Sequence, residues 1–357
     1  MTNSLGVCVD CIRNETNLAT PYIEKAHERV RIRYGLPPRI PKTSNGTACK
    51  LCSNECVIGE GEKGYCGLRT TIKGQLRDLA QTGRALLHSY RDPHVTNCCA
   101  AWFCPAGTGC GHPKFALKDG PEYGYSNLAV FFYGCNFDCL FCQNSSHKEF
   151  SEVSDIKKEE FADKIRNDRR LTCLCFFGGS PEPQLPFALA VSQDVIEADP
   201  GRVLRVCFEW NGCGNRALVR EAAELANRTG GNLKFDMKCF DENLSRALCG
   251  VSNRRAFENF EMVAMEFFDR RPNVPNLTAT TLLVPGYVDV REVESIAEFI
   301  GSINPEIPYS LLLFHPDFEM LDLPVTPKQQ VEVCYSAAKK HLRRVNVGNL
   351  SLLGVTI

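Results

Sequence analysis

From about Leu128 onward, short apolar runs alternate with stretches of helical period. The runs are "LAVFFYG" (128–134), "LTCLCFF" (171–177), "RVLRVCFEW" (202–210), "NLKFDMK" (232–238), "LTATTLLVPG" (277–286) and "YSLLLF" (309–314). They are β-branched or aromatic in character and too short for helices. Between them, "PFALAVSQDVIEA" (186–198), "NRALVREAAELAN" (215–227) and "VREVESIAEFIGS" (290–302) place apolar residues at helical spacing. This alternation predicts an α/β fold with a parallel sheet and crossover helices, and six such strands predict an incomplete (β/α)6 barrel. A helix at about 327–342 and a last strand around "VNVGNLSLLG" (345–354) are expected to close the chain.

The first 125 residues carry a different pattern. One amphipathic helix is expected at "PYIEKAHERVRIRYG" (21–35), followed by the Pro-rich "LPPRIPKTSNG" (36–46). The remainder is short, loop-rich and full of Cys and Gly, a composition that depends on bound metal for order. Two regions are therefore expected, a cysteine-rich metal-binding one over 1–125 and the barrel over 126–357.

Composition narrows the function. The 357 residues are 44% hydrophobic, enough for a large core, and the net charge of −1 sets up no field that would draw nucleic acid or an acidic membrane. With no basic-then-apolar leader and no apolar run approaching ~20 residues, the expected location is the cytoplasm, without a membrane partner. Twenty cysteines in such a protein are metal ligands or small buried groups before they are disulfides. Thirteen of them fall within the first 142 residues, in close groups. The other seven, Cys173, Cys175, Cys207, Cys213, Cys239, Cys249 and Cys334, are scattered, several in strand-like runs, and most are expected to be core packing.

"FFYGCNFDCLFCQN" (131–144) sets Cys135, Cys139 and Cys142 directly after the first strand, where ligand-binding loops of parallel α/β folds lie. A cube of four irons needs four ligands. Three thiolates leave one iron open to a substrate, whereas electron-transfer clusters normally have four cysteines. Cys49, Cys52, Cys56 and Cys66 form a compact four-thiolate set suited to mononuclear Zn or Fe. "CCAAWFCPAGTGC" (98–110) adds four more thiols, and the simplest second site combines Cys8 and Cys11 with Cys104 and Cys110, Cys98 or Cys99 substituting for one of them. Apolar packing around Trp102 and Phe103 is the alternative.

"GCNFDCLFC", with an aromatic residue before its last cysteine, resembles the cluster motif of the radical S-adenosylmethionine (SAM) superfamily. The following "QN" is similar to the branch around pyruvate formate-lyase activating enzyme and the AmmeMemoRadiSam group. The resemblance implies a radical SAM partial barrel in which Cys135, Cys139 and Cys142 hold a 4Fe–4S cluster that chelates SAM. It implies an adenine contact at Phe141 and a SAM amino-group contact at Gly178, Gly179 and Ser180. Ser180 stands where the family has an acidic residue, and Glu182 follows two later. Glu209 and Asn211 would face the ribose and carboxylate, and Asp236 and Lys238 the methionyl end. These residue types suit those tasks, since glycine admits close approach, a carboxylate or amide binds a diol, and lysine pairs with a carboxylate.

The implied chemistry is reductive cleavage of SAM to a 5′-deoxyadenosyl radical, with an electron donor such as ferredoxin or flavodoxin and a protein or peptide substrate. The four-cysteine insertion resembles methanogen radical SAM enzymes that C-methylate methyl-coenzyme M reductase. It implies cobalamin-dependent methylation of a glutamine sp3 carbon, with cobalamin over the barrel mouth under a roof of the N-terminal cysteine-rich segment. No His-x-x-Gly cobalamin signature is present. The other activity implied is hydrogen abstraction from a glycine, as in glycyl-radical activating enzymes.

Overall fold

The structure, a computed structural model, describes residues 1–150 and 153–354. The N-terminal region contributes α1 (Val9–Asn14), α2 (Thr16–Arg33), the short strands β1 (Thr47–Ala48), β2 (Val57–Ile58), β3 (Arg69–Ile72) and β4 (Gln75–Asp78), the long strand β5 (Arg84–Pro93) and one turn of helix, α3 (Pro105–Thr108). There follow β6 (Ser126–Phe132), β7 (Asp155–Lys157), α4 (Lys158–Asn167), β8 (Leu171–Gly178), α5 (Leu185–Ala198), β9 (Arg205–Trp210), α6 (Arg216–Thr229) and β10 (Leu233–Asp236). The chain ends with α7 (Glu242–Cys249), α8 (Arg254–Phe267), β11 (Leu277–Leu283), α9 (Val290–Ile303), β12 (Tyr309–Leu313), α10 (Lys328–His341) and β13 (Val345–Gly348).

The main sheet has the order β13-β12-β11-β10-β9-β8-β6-β5-β7. Its strands β6 and β8 to β12 are the six expected parallel strands, and β13 adds a seventh. This is the mixed α/β, partial-barrel architecture that the apolar runs predict. Successive side chains point to opposite faces of a strand. On the helix side, Phe132, Phe176 and Phe208 stack in sequence with ring centroids 5.6 and 5.4 Å apart, and Phe187 of α5 meets Phe132 edge-on. Both faces are covered, so β6 and β11 are buried at every position.

Several elements differ from the expectations. α2 begins at Thr16, five residues before the periodic stretch read as helical. β13 stops at Gly348 because Asn349 turns left-handed (φ 61°) and opens a 3-10 turn over Leu350–Leu353. Two helices not named from the sequence pattern, α7 and α8, connect β10 to β11. The first of them, α7, is fixed by Asp241, whose side chain accepts from the Leu244 N–H, and by Gly250 at φ 74°. β5 lies antiparallel against β6, with Leu87 opposite Phe132 and Pro93 opposite Ser126, so the N-terminal region supplies a strand to the barrel sheet.

Residues 94–125 run beneath the N-terminal ends of the strands. Their anchor is Arg205, at the start of β9, whose guanidinium donates to both carboxylate oxygens of Glu122 (2.8 and 2.6 Å) and to the Phe115 carbonyl (2.7 Å). Thr172 Oγ1 adds a bond to Glu122 at 2.7 Å. The lower end of the barrel is therefore closed, and the upper end carries the cleft. No described helix is long and apolar enough to cross a membrane.

Candidate functional site

β6 ends at Phe132, and the chain turns at Gly134, whose N–H donates to the His147 carbonyl. The loop that follows carries Cys135, Cys139 and Cys142. It is pinned to the end of α7 by the Asp138 and Leu140 N–H groups, which donate to the carbonyls of Cys249 (2.8 Å) and Leu248 (2.9 Å). Asp138 is fully buried beneath the loop. Lys148 Nζ reaches it at 2.6 Å, His27 Nδ1 at 2.9 Å and Arg31 at 3.5 Å. Burial alone would raise its carboxyl, yet Lys148, His27 and Arg31 together hold it well below the usual carboxylate range.

The three thiols open into one cleft at the C-terminal ends of the strands, with about 880 Å³ of space counting its mouth. Phe141, Gly178, Gly179, Ser180, Glu209, Asn211, Asp236 and Lys238 line the same cleft. Gly178 sits at φ 112°, and a Cβ there would stand 2.5 Å from the Phe132 nitrogen. A Cβ on Gly179 would stand 2.3 Å from the Gly134 carbonyl oxygen. Only glycines let the β8 rim close on the thiol loop. Asn211 is held by Ser180 Oγ (3.0 Å) and Asn136 Oδ1 (2.8 Å), and Lys238 is ion-paired with Asp236. Against burial, which would lower it, Asp236 holds the Lys238 ammonium above its ordinary range.

Three sulfurs, a glycine rim and a paired lysine around one open space suit a cubane cluster with a zwitterionic ligand. Burial pushes the Cys142 thiol up to about 11, a penalty that metal ligation removes by exchanging the proton for a cation.

Two of the expected contacts need correction. Glu182 does not line the cleft. It is fully buried behind the β8 rim, where it accepts from the Gly212 N–H at 2.8 Å, and desolvation raises its carboxyl to about 7. Glu209 reaches the cleft but pairs its carboxylate with Lys234, one strand over, at 2.9 Å. The Glu209 pairing follows from strand register, which places it directly beside Lys234, whereas Glu182 lies in the 3-10 turn that follows β8.

Cys49, Cys52, Cys56 and Cys66 converge on a small enclosed space with Arg69 and Pro183. Burial raises the Cys56 thiol to about 11. This unit docks on the barrel rim through the Ser53 N–H to Cys213 carbonyl bond and the Asn54 Nδ2 to Asn136 carbonyl bond, the latter on the cluster loop itself.

The grouping of Cys8 and Cys11 with Cys104 and Cys110 is not formed. Cys8 and Cys11, 3.3 Å apart, cap α1 at the upper end of the barrel, where Tyr287 donates to the Val7 carbonyl. Cys104 and Cys110 lie at the lower end, where Cys110 Sγ contacts the Phe103 carbonyl. Residues 98–110 are thus a floor to the barrel and not a roof over its mouth, with Trp102 Nε1 donating to Ser310 Oγ at the base of β12.

Cys173, Cys175 and Cys207, read from sequence as core packing, line an interior chamber with Cys98, Glu209 and Lys234. The available signal was register. Cys173-x-Cys175 and Cys207-x-Glu209 each present both members to one face of neighbouring strands, and Cys175 is paired with Cys207.

A parallel partial barrel with three loop cysteines at the C-terminal rim, facing glycines and a paired lysine, defines an α/β architecture with a thiol-lined cleft at its upper end. Residues 129–300 match the family model of the radical SAM superfamily. An uncharacterized protein of Methanocaldococcus jannaschii is 25% identical over 316 residues, which cover 86% of this chain and 82% of that one. The isethionate sulfite-lyase activating enzyme of Desulfovibrio desulfuricans is 27% identical over 277 residues, covering 75% of this chain and 74% of the relative. Among solved structures, Streptococcus suis SuiB bound to S-adenosylmethionine aligns with a TM-score of 0.44 and 11% identity. That alignment covers 60% of this chain and 48% of SuiB, about half of the longer protein.

Proposed function

We propose that this radical SAM enzyme modifies a residue of a partner protein, and that the modification is transfer of a methyl group to an sp3 carbon, with glutamine in methyl-coenzyme M reductase as the residue to test. The observation that carries the radical SAM part is the single cleft shared by Cys135, Cys139 and Cys142 with Phe141, Gly178, Gly179, Ser180, Asn211, Asp236 and Lys238. The cluster and SAM supply, when bound, one-electron cleavage of the sulfonium to methionine and a 5′-deoxyadenosyl radical.

The chain's own residues perform the rest. Cys135, Cys139 and Cys142 would hold three irons. Gly178 and Gly179 admit the ligand's amino group to the β8 rim, and Lys238 meets its carboxylate from the partnership with Asp236. The backbone at Phe141 would contact the adenine, and its buried ring, with the Lys238 ammonium 5.5 Å from its centroid, helps keep water from the lysine. The open mouth leaves room for a loop of another protein.

Methyl transfer rests on the four-cysteine insertion of residues 98–110, and cobalamin would be its methyl donor. No group of side chains on the described rim is fitted to a corrin. Cys49, Cys52, Cys56 and Cys66 would hold a separate Fe or Zn ion that stabilises the unit beside the cluster loop.

The second reading, hydrogen abstraction from a partner glycine, is favoured by the relative named as a lyase activating enzyme. The deciding experiment incubates anaerobically reconstituted protein with SAM, a reductant and a glutamine-containing peptide, with and without methylcobalamin. A gain of one methylene unit that requires cobalamin supports methyl transfer. A stable glycyl radical on a partner, formed without cobalamin, moves the assignment to the second reading, and absence of 5′-deoxyadenosine overturns both.

A further inference from the structure

Inward positions of a parallel barrel are ordinarily filled by branched aliphatic side chains. In the lower half of this barrel, on β8, β9 and β10, they are thiols and charges. Cys173 and Cys175 of β8, Cys207 and Glu209 of β9 and Lys234 of β10 face a chamber of about 1100 Å³ counting its mouth, which opens sideways beside Tyr90 and Val95. Within it, the sulfurs of Cys98 and Cys99 and a carboxylate oxygen of Glu209 lie within 4.8 Å of one another.

The groups around those sulfurs are donors. Cys98 Sγ accepts from the Ala100 N–H (3.4 Å) and from Lys234 Nζ (3.2 Å), and Cys99 Sγ accepts from Thr280 Oγ1 (3.3 Å). Hydrogen bonds aimed at sulfur are strongest when the sulfur is a thiolate, because a charged acceptor roughly doubles their strength. Two such acceptors beside a carboxylate form a soft, anionic donor set.

We infer that Cys98, Cys99 and Glu209 bind one thiolate-seeking divalent cation, zinc or ferrous iron, inside the barrel beneath the SAM cleft. A tetrahedral site with metal–sulfur bonds of ~2.3 Å has ligand–ligand edges of ~3.8 Å, so the three donors need close only modestly on the ion. The charges balance. The ion replaces two thiol protons, which leave to solvent, and the Glu209–Lys234 pair remains neutral in both states. Three protein donors leave a fourth position open to the chamber, the arrangement of sites that bind a water or a substrate oxygen. Glu209 and Phe177 line both the chamber and the cleft above, so one layer of side chains separates this position from SAM. The inference goes beyond the proposed modification reaction and does not depend on it.

The test uses the full chain, stripped of metal under anaerobic conditions and titrated with cobalt(II) as the probe. The wild type takes up one equivalent more than the Cys98→Ser/Cys99→Ser double variant, and the thiolate-to-cobalt charge-transfer and tetrahedral d–d bands of that equivalent are missing from the variant. Normal 4Fe–4S loading at the upper rim and an unchanged circular dichroism spectrum certify the fold of the variant. Glu209→Gln, which keeps both thiols, binds the same equivalent at least tenfold more weakly. Equal cobalt uptake and identical spectra in the wild type and the double variant overturn the site. Should the double variant not fold, unchanged cobalt affinity in Glu209→Gln overturns it as well.

Discussion

Replacing Asp138 with Asn removes one negative charge and almost no volume, beneath the loop that carries Cys135, Cys139 and Cys142. The carboxylate is completely buried, and Lys148, His27 and Arg31 converge on it with side chains 1–6% exposed. The amide leaves the Lys148 ammonium and the Arg31 guanidinium in a dry site without their counter-charge. Breaking a buried pair in this way costs about 3–5 kcal/mol.

The loss falls on the cluster loop, so iron content after reconstitution drops together with stability. Asp138 has a depressed carboxyl in the folded state. Its contribution is therefore fully present above the unfolded value of ~3.9 and is lost as pH falls toward the folded value, so the gap between wild type and variant narrows below about pH 4. Urea unfolding under argon at pH 7 and pH 4, with iron analysis, measures both effects. An Asp138→Asn protein within about 1 kcal/mol of the wild type and fully loaded with iron would refute the argument that this carboxylate holds the loop. Lys148→Met added to Asp138→Asn should recover much of the loss, since it removes an unpaired charge.

Glu182→Gln is expected to stabilise the protein at pH 8 by up to about 3 kcal/mol, because burial raises this carboxyl from 4.5 to about 7. The native state then keeps a proton that the unfolded chain has released, so wild-type stability falls as pH rises between those two values. Equal stabilities of wild type and variant at pH 8 in urea titrations would contradict it. Gly179→Ala puts a Cβ into the Gly134 carbonyl oxygen and should reduce 5′-deoxyadenosine formation at least tenfold. Gly201→Ala, with nothing within 4 Å, should leave that assay unchanged.

The parallel strands were legible because each is an apolar run bounded by turns, and the helical period between them is strong. β5 was not, since "ALLHSYRDPHV" carries polar and charged residues that suit a strand with only one well-covered face. The cleft was legible residue by residue because its members end successive strands. Glu182 failed that logic by lying in the turn after β8, and its buried side chain faces the Gly212 backbone. The pairing of Cys8 and Cys11 with Cys104 and Cys110 failed for another reason. Spacing along the chain shows which thiols are neighbours in sequence, but not which end of a barrel each segment reaches. Cys98, Cys99 and Glu209 meet only because the loop below the barrel rises into its interior, which no local pattern announces.

The docking of the first thirty residues ties distant parts of the chain to the cluster loop. Thr2 donates to Asp322 at 2.6 Å, Arg13 is paired with Asp289 and Glu292, and His27 bridges Asp138 and the Ala247 carbonyl. Asp138 belongs to the loop of Cys135, Cys139 and Cys142, and Ala247 belongs to α7, against which that loop is pinned. A helix that carries none of the three thiols thus braces both the loop and its support, and loosening it anywhere along its length reaches the cluster ligands.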